Sequence, residues 1–465
     1  MVTKNTFLKK NCLLIIILSL AIVLRLSFLD TSYVFWDESI YLMGGEVLAG
    51  QPAGYNELDF RHPLLTVMIT PFTFSSHYLY LSKTFMILVN TFFVFLVYVF
   101  AKQFNKQIGL LSAFLVSIWP YPLMSSSWVM TDGLAAITLL LTIIFYFKGF
   151  KQKQDELVYW GGFFLGLAVL AKFTNVLLFI LLLPLFIFNL KRIKTVLKSF
   201  LIAFLTISPY LIISYLKFGN PLHGILKAFT IGNAVMSSLG PQPISMILKV
   251  FYDFFGIPLS VFLFAGLLLF IKKEILLQED KAIRKNNFFW AYCFAIFLLY
   301  YFYTVHEGAT PIWWDSQRFL LSFLPFGIIF SAYFITETIK KFSKTYKLVI
   351  LALLTIMILL SWTQQYSRFA QPAISHEAGL RQVTKEMGLY LKYQDMNGLL
   401  CFGNCPPIAY YSDKKLSIIY DLKDFKLEKG QYGILFSDKL NKLSRTYDQV
   451  KSFCKQEWCV SLLKN

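Results

Sequence analysis

The sequence predicts an all-α polytopic membrane protein of about eleven transmembrane helices, with a small α+β domain at its C-terminus. Three observations predict it. The 465 residues are 57% hydrophobic and 18% aromatic but only 15% charged, with a mean hydropathy of +0.58, which no ordinary soluble domain of this length combines. Apolar runs of membrane-spanning length recur up to about residue 363, separated by short charged loops. After Trp362 the composition turns polar, and short β-like runs alternate with turn residues.

The spans read at about 12–24, 78–101, 108–123, 133–147, 160–171, 176–190, 199–216, 248–271, 288–305, 318–336 and 347–363. Lys4, Lys9 and Lys10 before the first run resemble a signal peptide. The run lacks a small-residue cleavage site, and Arg25 and Asp30 close it, so an uncleaved helix is expected. Arg25 is expected to snorkel or to pair with Asp30. The fifth and sixth spans are short for full crossings and read as a hairpin of tilted or partial spans, which preserves parity. No internal repeat of the inverted-transporter kind and no low-complexity tract is visible.

The net charge of +18 does not point to nucleic acid, because the basic residues lie in short clusters between apolar spans. Every other loop is basic. With the N-terminus inside, the cytoplasmic loops hold Lys102 and Lys106; Lys148, Lys151 and Lys153; Lys191, Arg192, Lys194 and Lys198; Lys272, Lys273, Lys281, Arg284 and Lys285; and Lys340, Lys341, Lys344 and Lys347. The alternate loops carry Asp37 and Glu38, Met130 to Gly133, Lys217 to Pro243 and His306 to Arg318, each poor in Lys and Arg. The positive-inside rule then places these loops, and the C-terminal domain, on the extracytoplasmic side of the cell membrane.

The chain divides into a transmembrane domain over 1–368, with its first outer loop at 31–77, and a soluble extracytoplasmic domain over 369–465. Gly398 to Phe402 and Tyr432 to Phe436 read as strands, and His376 to Tyr393 as a helix. Four of the six cysteines lie here, in CFGNC (Cys401, Cys405) and CKQEWC (Cys454, Cys459). Outside the cytosol these read as disulfides in any of three pairings; a zinc reading competes but lacks the usual two-residue ligand spacing.

Chemistry is expected where the chain first meets water. Asp37 and Glu38 sit beside Trp36 and Tyr41, which suit the interfacial zone, at the start of a surface-lying helix ended by Gly50. An Asp there is also a natural N-cap, which would explain Asp37 but not Glu38; with Ile40 then at N3, no capping box is expected. The same loop offers Glu57, Asp59, Arg61 and His62 before Pro63, candidates for a phosphate or a divalent metal, against the plain reading of charges flanking a span. Asp132 opens the fourth span, where helix capping is the alternative. Lys172 and Arg318 sit at outer span ends against the charge trend, which favours an anion partner over snorkelling flanks.

Six segments in order, LRLSFLD, WDESIYLMGGEVLAGQPAGY, DFRHPLL, MTDGLAA, GFFLGLAVLAKFT and SQRFLLSFLP, resemble those of the GT-C membrane glycosyltransferases of the protein O-mannosyltransferase and aminoarabinose (lipid A) transferase type. The resemblance spans roughly the first 340 residues. It implies a multi-span fold, a polyprenyl-phosphate-linked sugar donor and inverting transfer to a protein, lipid or glycan hydroxyl. Carried over by residue, it implies a catalytic Asp37 with its neighbour Glu38. Arg61, His62, Lys172 and Arg318 become donor-phosphate contacts, and Asp132 and Tyr41 acceptor or substrate contacts. Glu57, Asp59 and His62 are the candidate ligands of a divalent ion, which a phosphate leaving group does not require. The chain has Arg61-His62-Pro63-Leu64 where many members have a Lys-Pro-Pro or His-Pro-Pro sequence, and it lacks the lumenal β-trefoil of the eukaryotic mannosyltransferases. The competing function is a transporter or flippase of a polyprenyl-linked sugar. That function calls for polar groups near the midplane and matched broken helices, whereas the charges here collect at one face.

Overall fold

A computed structural model describes residues 4–30, 33–54, 61–230, 243–306, 317–342, 344–367, 371–396, 399–419, 425–429, 431–436, 447–455 and 458–465. In chain order the helices are α1 (Lys4–Leu26), α2 (Trp36–Leu48), α3 (Pro63–Ile69), α4 (Tyr78–Ala101), α5 (Lys106–Ile118), α6 (Pro120–Met124), α7 (Thr131–Gln152), α8 (Asp155–Ala171), α9 (Leu178–Phe188) and α10 (Ile193–Phe218). They continue with α11 (Ile244–Phe255), α12 (Ile257–Phe270), α13 (Lys281–His306), α14 (Leu324–Lys340), α15 (Lys344–Gln365), α16 (Gln371–Lys392) and α17 (Cys405–Ser412). The strands are β1 (Leu399–Phe402), β2 (Leu416–Ile419), β3 (Tyr432–Phe436), β4 (Asp448–Lys455) and β5 (Trp458–Lys464).

All eleven expected spans fall on helices, but their form varies. Among the described residues, Tyr78–Ala101, Thr131–Gln152 and Leu190–Phe218 are each long and apolar enough to cross a membrane alone, and Lys106–Ile118 with Pro120–Ser127 adds a fourth as a pair bent by 61°. The bend lies at Pro120, which has no N–H to continue the ladder. The carbonyls freed there find side-chain donors: Arg25 reaches Ser117 O at 3.3 Å and Trp362 Nε1 reaches Ile118 O at 2.8 Å. Arg25 therefore does not snorkel. It is fully buried and also donates to Ala21 O.

The span expected at 248–271 is broken in the same manner. Gly256, at φ +70°, separates α11 from α12, and a Cβ there would overlap Ser361. Phe254 O receives Trp119 Nε1 at 2.8 Å and the Gln365 amide, while Ser361 Oγ accepts from Leu259 N at 3.1 Å and Gln364 Oε1 from Ile257 N at 3.3 Å. Side chains of α15 thus satisfy the backbone groups that an interrupted helix leaves open, the condition for breaking a helix inside hydrocarbon.

The chain forms two compact units. One comprises 1–28, 86–127 and 131–370; the other comprises 29–85, 128–130 and 371–465. The first outer loop is therefore grouped with the C-terminal segment, not with the helical domain over 1–368 as the sequence boundary had it. The reason is a shared apolar core in which Met43 of α2 packs with Val383, Met387, Leu391, Cys405 and Ile408. Leu416 N donates to Gly54 O at 3.1 Å, which fastens the end of the loop to the start of β2.

The sheet order is β2-β1-β3-β5-β4. β1 runs parallel to β2 and β3, with α17 as the β1 to β2 crossover, and β5 pairs antiparallel with β3 and β4. The two strands and the helix expected from sequence are present, and β2, β4 and β5 complete the sheet. The sulfurs pair locally: Cys401 with Cys405 across the β1 to α17 turn, and Cys454 with Cys459 across the β4 to β5 hairpin.

Near the end of α2, Glu46 lies partly buried in this unit, and desolvation together with Asp413 pushes its carboxyl up to about 7. The folded value lies above the ordinary carboxyl value of 4.5, so the folded chain holds an extra proton between those limits and loses stability as pH rises through them. Glu46→Gln is expected to raise the unfolding midpoint in detergent at pH 8 by the equivalent of about 2 kcal/mol after allowance for residual solvation, with no gain at pH 4. A gain of the same size at both pH values would assign the effect to something other than this carboxyl.

Candidate active site

Helix α2 begins two residues earlier than the Asp37 cap requires. Phe35 is the N-cap, so Asp37 stands at N2 and Glu38 at N3. The N-cap contact expected of Asp37 is not made; Glu38 makes the reciprocal one, its Oε2 accepting from the N-cap amide of Phe35 at 2.9 Å. Phe35 has no side-chain acceptor, so this is one half of a capping box. Both carboxylates lie in the first turn, where the helix dipole favours negative charge.

The two neighbours have opposite environments. Glu38 is fully buried, and its Oε1 accepts from Val129 N at 2.8 Å and pairs with Lys83 Nζ at 3.5 Å. Lys83, itself 1% exposed, donates to Asp30 O at 2.6 Å and Tyr33 O at 2.9 Å. Asp37 keeps 19% of its side chain exposed and meets Arg61, whose Nη1 lies 2.9 Å from Oδ1. Only Asp37 of the pair has a carboxylate that a solvent-side group can reach.

His62 is the N-cap of α3 and is partly buried, with Pro63 at N1 in the position where a missing N–H costs nothing. Tyr41 is buried within α2 at 4% exposure. Glu57 and Asp59 lie outside the described residues. Among the described residues no three His, Cys, Asp or Glu side chains gather as metal ligands.

In the other unit, Asp132 opens α7 and pairs with Lys172, Nζ to Oδ1 being 2.7 Å, with 9% and 17% of the side chains exposed. Lys172 terminates α8, whose end is closed by Asn175 Nδ2 donating to Ala168 O at 2.9 Å. Gly133 follows Asp132 because a Cβ there would overlap the Asn90 amide, which itself donates to Met86 O and Ser126 O, both at 3.0 Å. Arg318 lies in the short turn Gln317–Leu321 ahead of α14 and is partly buried.

The structure thus joins Asp37 to Arg61 and Asp132 to Lys172, and it withdraws Glu38 into a clamp with Lys83. Lys83 was missed from sequence. The signal was available, since it is a lone cation five residues inside an apolar helix.

Residues 69–213 match a family model described as dolichyl-phosphate-mannose-protein mannosyltransferase. No curated protein is a sequence match. The chain is similar in structure to ArnT from Cupriavidus metallidurans bound to undecaprenyl phosphate, at 10% identity and a TM-score of 0.68 over 97% of this chain and 98% of that one. The apo state of the same protein gives 10% and 0.66 over 97% of each. An oligosaccharyltransferase from Archaeoglobus fulgidus, tethered with an acceptor peptide containing the NVT sequon, is similar at 13% identity and a TM-score of 0.63, over 88% of this chain and 64% of that one. At such identities the likeness is one of fold, and with the family match it establishes that this largely helical membrane chain has a GT-C fold.

Proposed function

We propose that the chain is a glycosyltransferase that moves a sugar, with inversion, from a polyprenyl phosphate carrier to an acceptor hydroxyl on the extracytoplasmic face of the membrane. The observation that carries this reading is Asp37, a reachable carboxylate in the first turn of a surface helix whose neighbour Glu38 is locked inside. Two comparisons support the carrier. The family description names a dolichyl phosphate donor, and the ArnT structure holds undecaprenyl phosphate.

In this reaction the acceptor oxygen attacks the anomeric carbon, the bond from that carbon to the phosphate oxygen breaks, and the polyprenyl phosphate leaves with the electron pair. Asp37 takes the acceptor proton. Cations are required where charge builds on the departing phosphate. Lys172 is the candidate for that role, as the cation that ends α8 beside Asp132. Arg61, His62 and Arg318 are the further candidates, with Arg61 also orienting Asp37. Glu38 acts on the reaction through position alone. The apolar helices suit the carrier, since each buried methylene contributes about 0.8 kcal/mol and the tail anchors the donor at the interface.

The alternation of basic loops supports an outward-facing site, as do the two disulfides of the C-terminal segment. Purified protein incubated with a panel of polyprenyl-phosphate sugars and hydroxyl acceptors should release free polyprenyl phosphate; no release from any donor would remove the assignment.

Asp37→Asn keeps the size of the side chain and leaves the Glu38 clamp untouched. It is expected to lower turnover by about 100-fold or more with an unchanged unfolding midpoint, and turnover within about tenfold of wild type would exclude general-base use. Lys172→Gln is expected to raise the donor KM by about tenfold, the scale of one charge-assisted contact to phosphate, and an unchanged KM would return Lys172 to a flanking role. On intact cells, an impermeant thiol reagent should label the C-terminal segment only after an impermeant reductant. Labelling that requires permeabilisation would place this segment inside and reverse the orientation.

A further inference from the structure

Asp37 is aimed by the three residues that lead into α2. Val34 is fully buried, and Tyr33 and Phe35 are 5% and 8% exposed, so this lead-in is fixed by what surrounds it. Two of its holds come from α4 and from α2 itself. Lys83 takes the Tyr33 carbonyl, and Glu38 takes the Phe35 N–H. A third comes from the other end of the chain. The Arg381 guanidinium of α16 lies 4.4 Å from the Phe35 ring centroid and 5.5 Å from that of Tyr33, with Nη1 4.0 Å from Asp30 Oδ2.

Its neighbours on the C-terminal segment converge on the same ring. Asn404 Nδ2 donates to the Tyr33 hydroxyl at 3.0 Å and to Thr384 Oγ1 at 3.2 Å, and Thr384 stands one turn beyond Arg381 on α16. The Tyr411 ring of α17 lies 6.4 Å from that of Tyr33. The Phe35 ring also meets that of Trp128 at 4.6 Å, so it contacts both an arginine and an indole.

We propose that Arg381 is a positioning residue for Asp37, and that the C-terminal α/β segment is a working part of the active-site loop that sets the entry of α2. The role requires arginine, because a weakly hydrated guanidinium can lie against the Phe35 ring while its forked donors reach toward Asp30, whereas an ammonium is a compact, strongly hydrated point charge. It rests on the glycosyltransferase reading for its kinetic consequence but not for its mechanical one.

The test uses the full-length protein in detergent with Arg381→Met, which keeps the stem and removes the planar cation, and Arg381→Lys, which keeps the charge. Hydrogen exchange is followed in peptides covering 33–43, where the Phe35 amide bonds Glu38 and the Ser39 amide bonds Phe35 O. Arg381→Met should speed exchange there about tenfold while β1, β3 and β5 keep wild-type protection. Turnover should fall about 10- to 100-fold with the donor KM within about twofold, and Arg381→Lys should recover only part of it. Unchanged exchange in 33–43 would overturn the proposal. So would faster exchange with wild-type turnover, or equal loss of protection in the sheet, which would make Arg381 a general prop. If wild-type protein transfers no sugar from any donor the functional reading fails, and the exchange comparison still decides whether Arg381 holds α2.

Discussion

The enclosed ion pair of Glu38 and Lys83 is the interaction on which the Asp37 site depends. Two charges withdrawn from water are tolerated only when their remaining hydrogen-bonding capacity is used, and here it is used by backbone. Glu38 takes the Phe35 and Val129 amides, and Lys83 takes the Asp30 and Tyr33 carbonyls. Loss of either partner would strand a buried charge, at a cost of about 3–5 kcal/mol. An apolar pair of similar volume would leave unpaired the four backbone groups that this pair engages, at Asp30, Tyr33 and Phe35 on one stretch and at Val129 on another.

The same logic governs the helical unit. A helix interrupted in apolar surroundings leaves amides and carbonyls that water cannot satisfy, and this chain answers each interruption with a side chain from another helix. Trp119, Trp362, Gln364 and Gln365 donate or accept at the two breaks, and Arg25 adds a guanidinium to one of them. Polar residues inside these spans are thus the fasteners of a bundle whose helices are free to change direction.

Spans and helices were legible because hydrophobic length is a strong signal, and all eleven runs fall on helices. Breaks inside them were less so. Gly256 and Pro120 are visible in the sequence, yet whether such a residue breaks a helix depends on donors more than a hundred residues away. In the C-terminal segment, the buried strands β1 and β3 announced themselves by apolar runs. β4 did not, because its residues are mostly exposed and so lack a buried alternation to read. At the site, the approximate start of α2 was legible and its phase was not. The cap of this helix is phenylalanine, a residue that propensity never proposes, and it is held there by Glu38 and by rings from outside the loop.

That two-residue shift of phase decides what an adjacent Asp and Glu can mean. Successive helical residues point about 100° apart, so neighbouring carboxylates in a first turn meet different surroundings. Packing encloses α2 on every side from Glu38 through Gly45, which buries Glu38 and leaves Asp37 at the boundary beside Arg61. On the function proposed above, the pair is one base and its anchor. The anchor is acidic for the reason the base must be well placed: a proton acceptor that shifts by an ångström loses the acceptor hydroxyl, and a neutral side chain at position 38 could not bind an amide from each of two segments and a lysine at the same time.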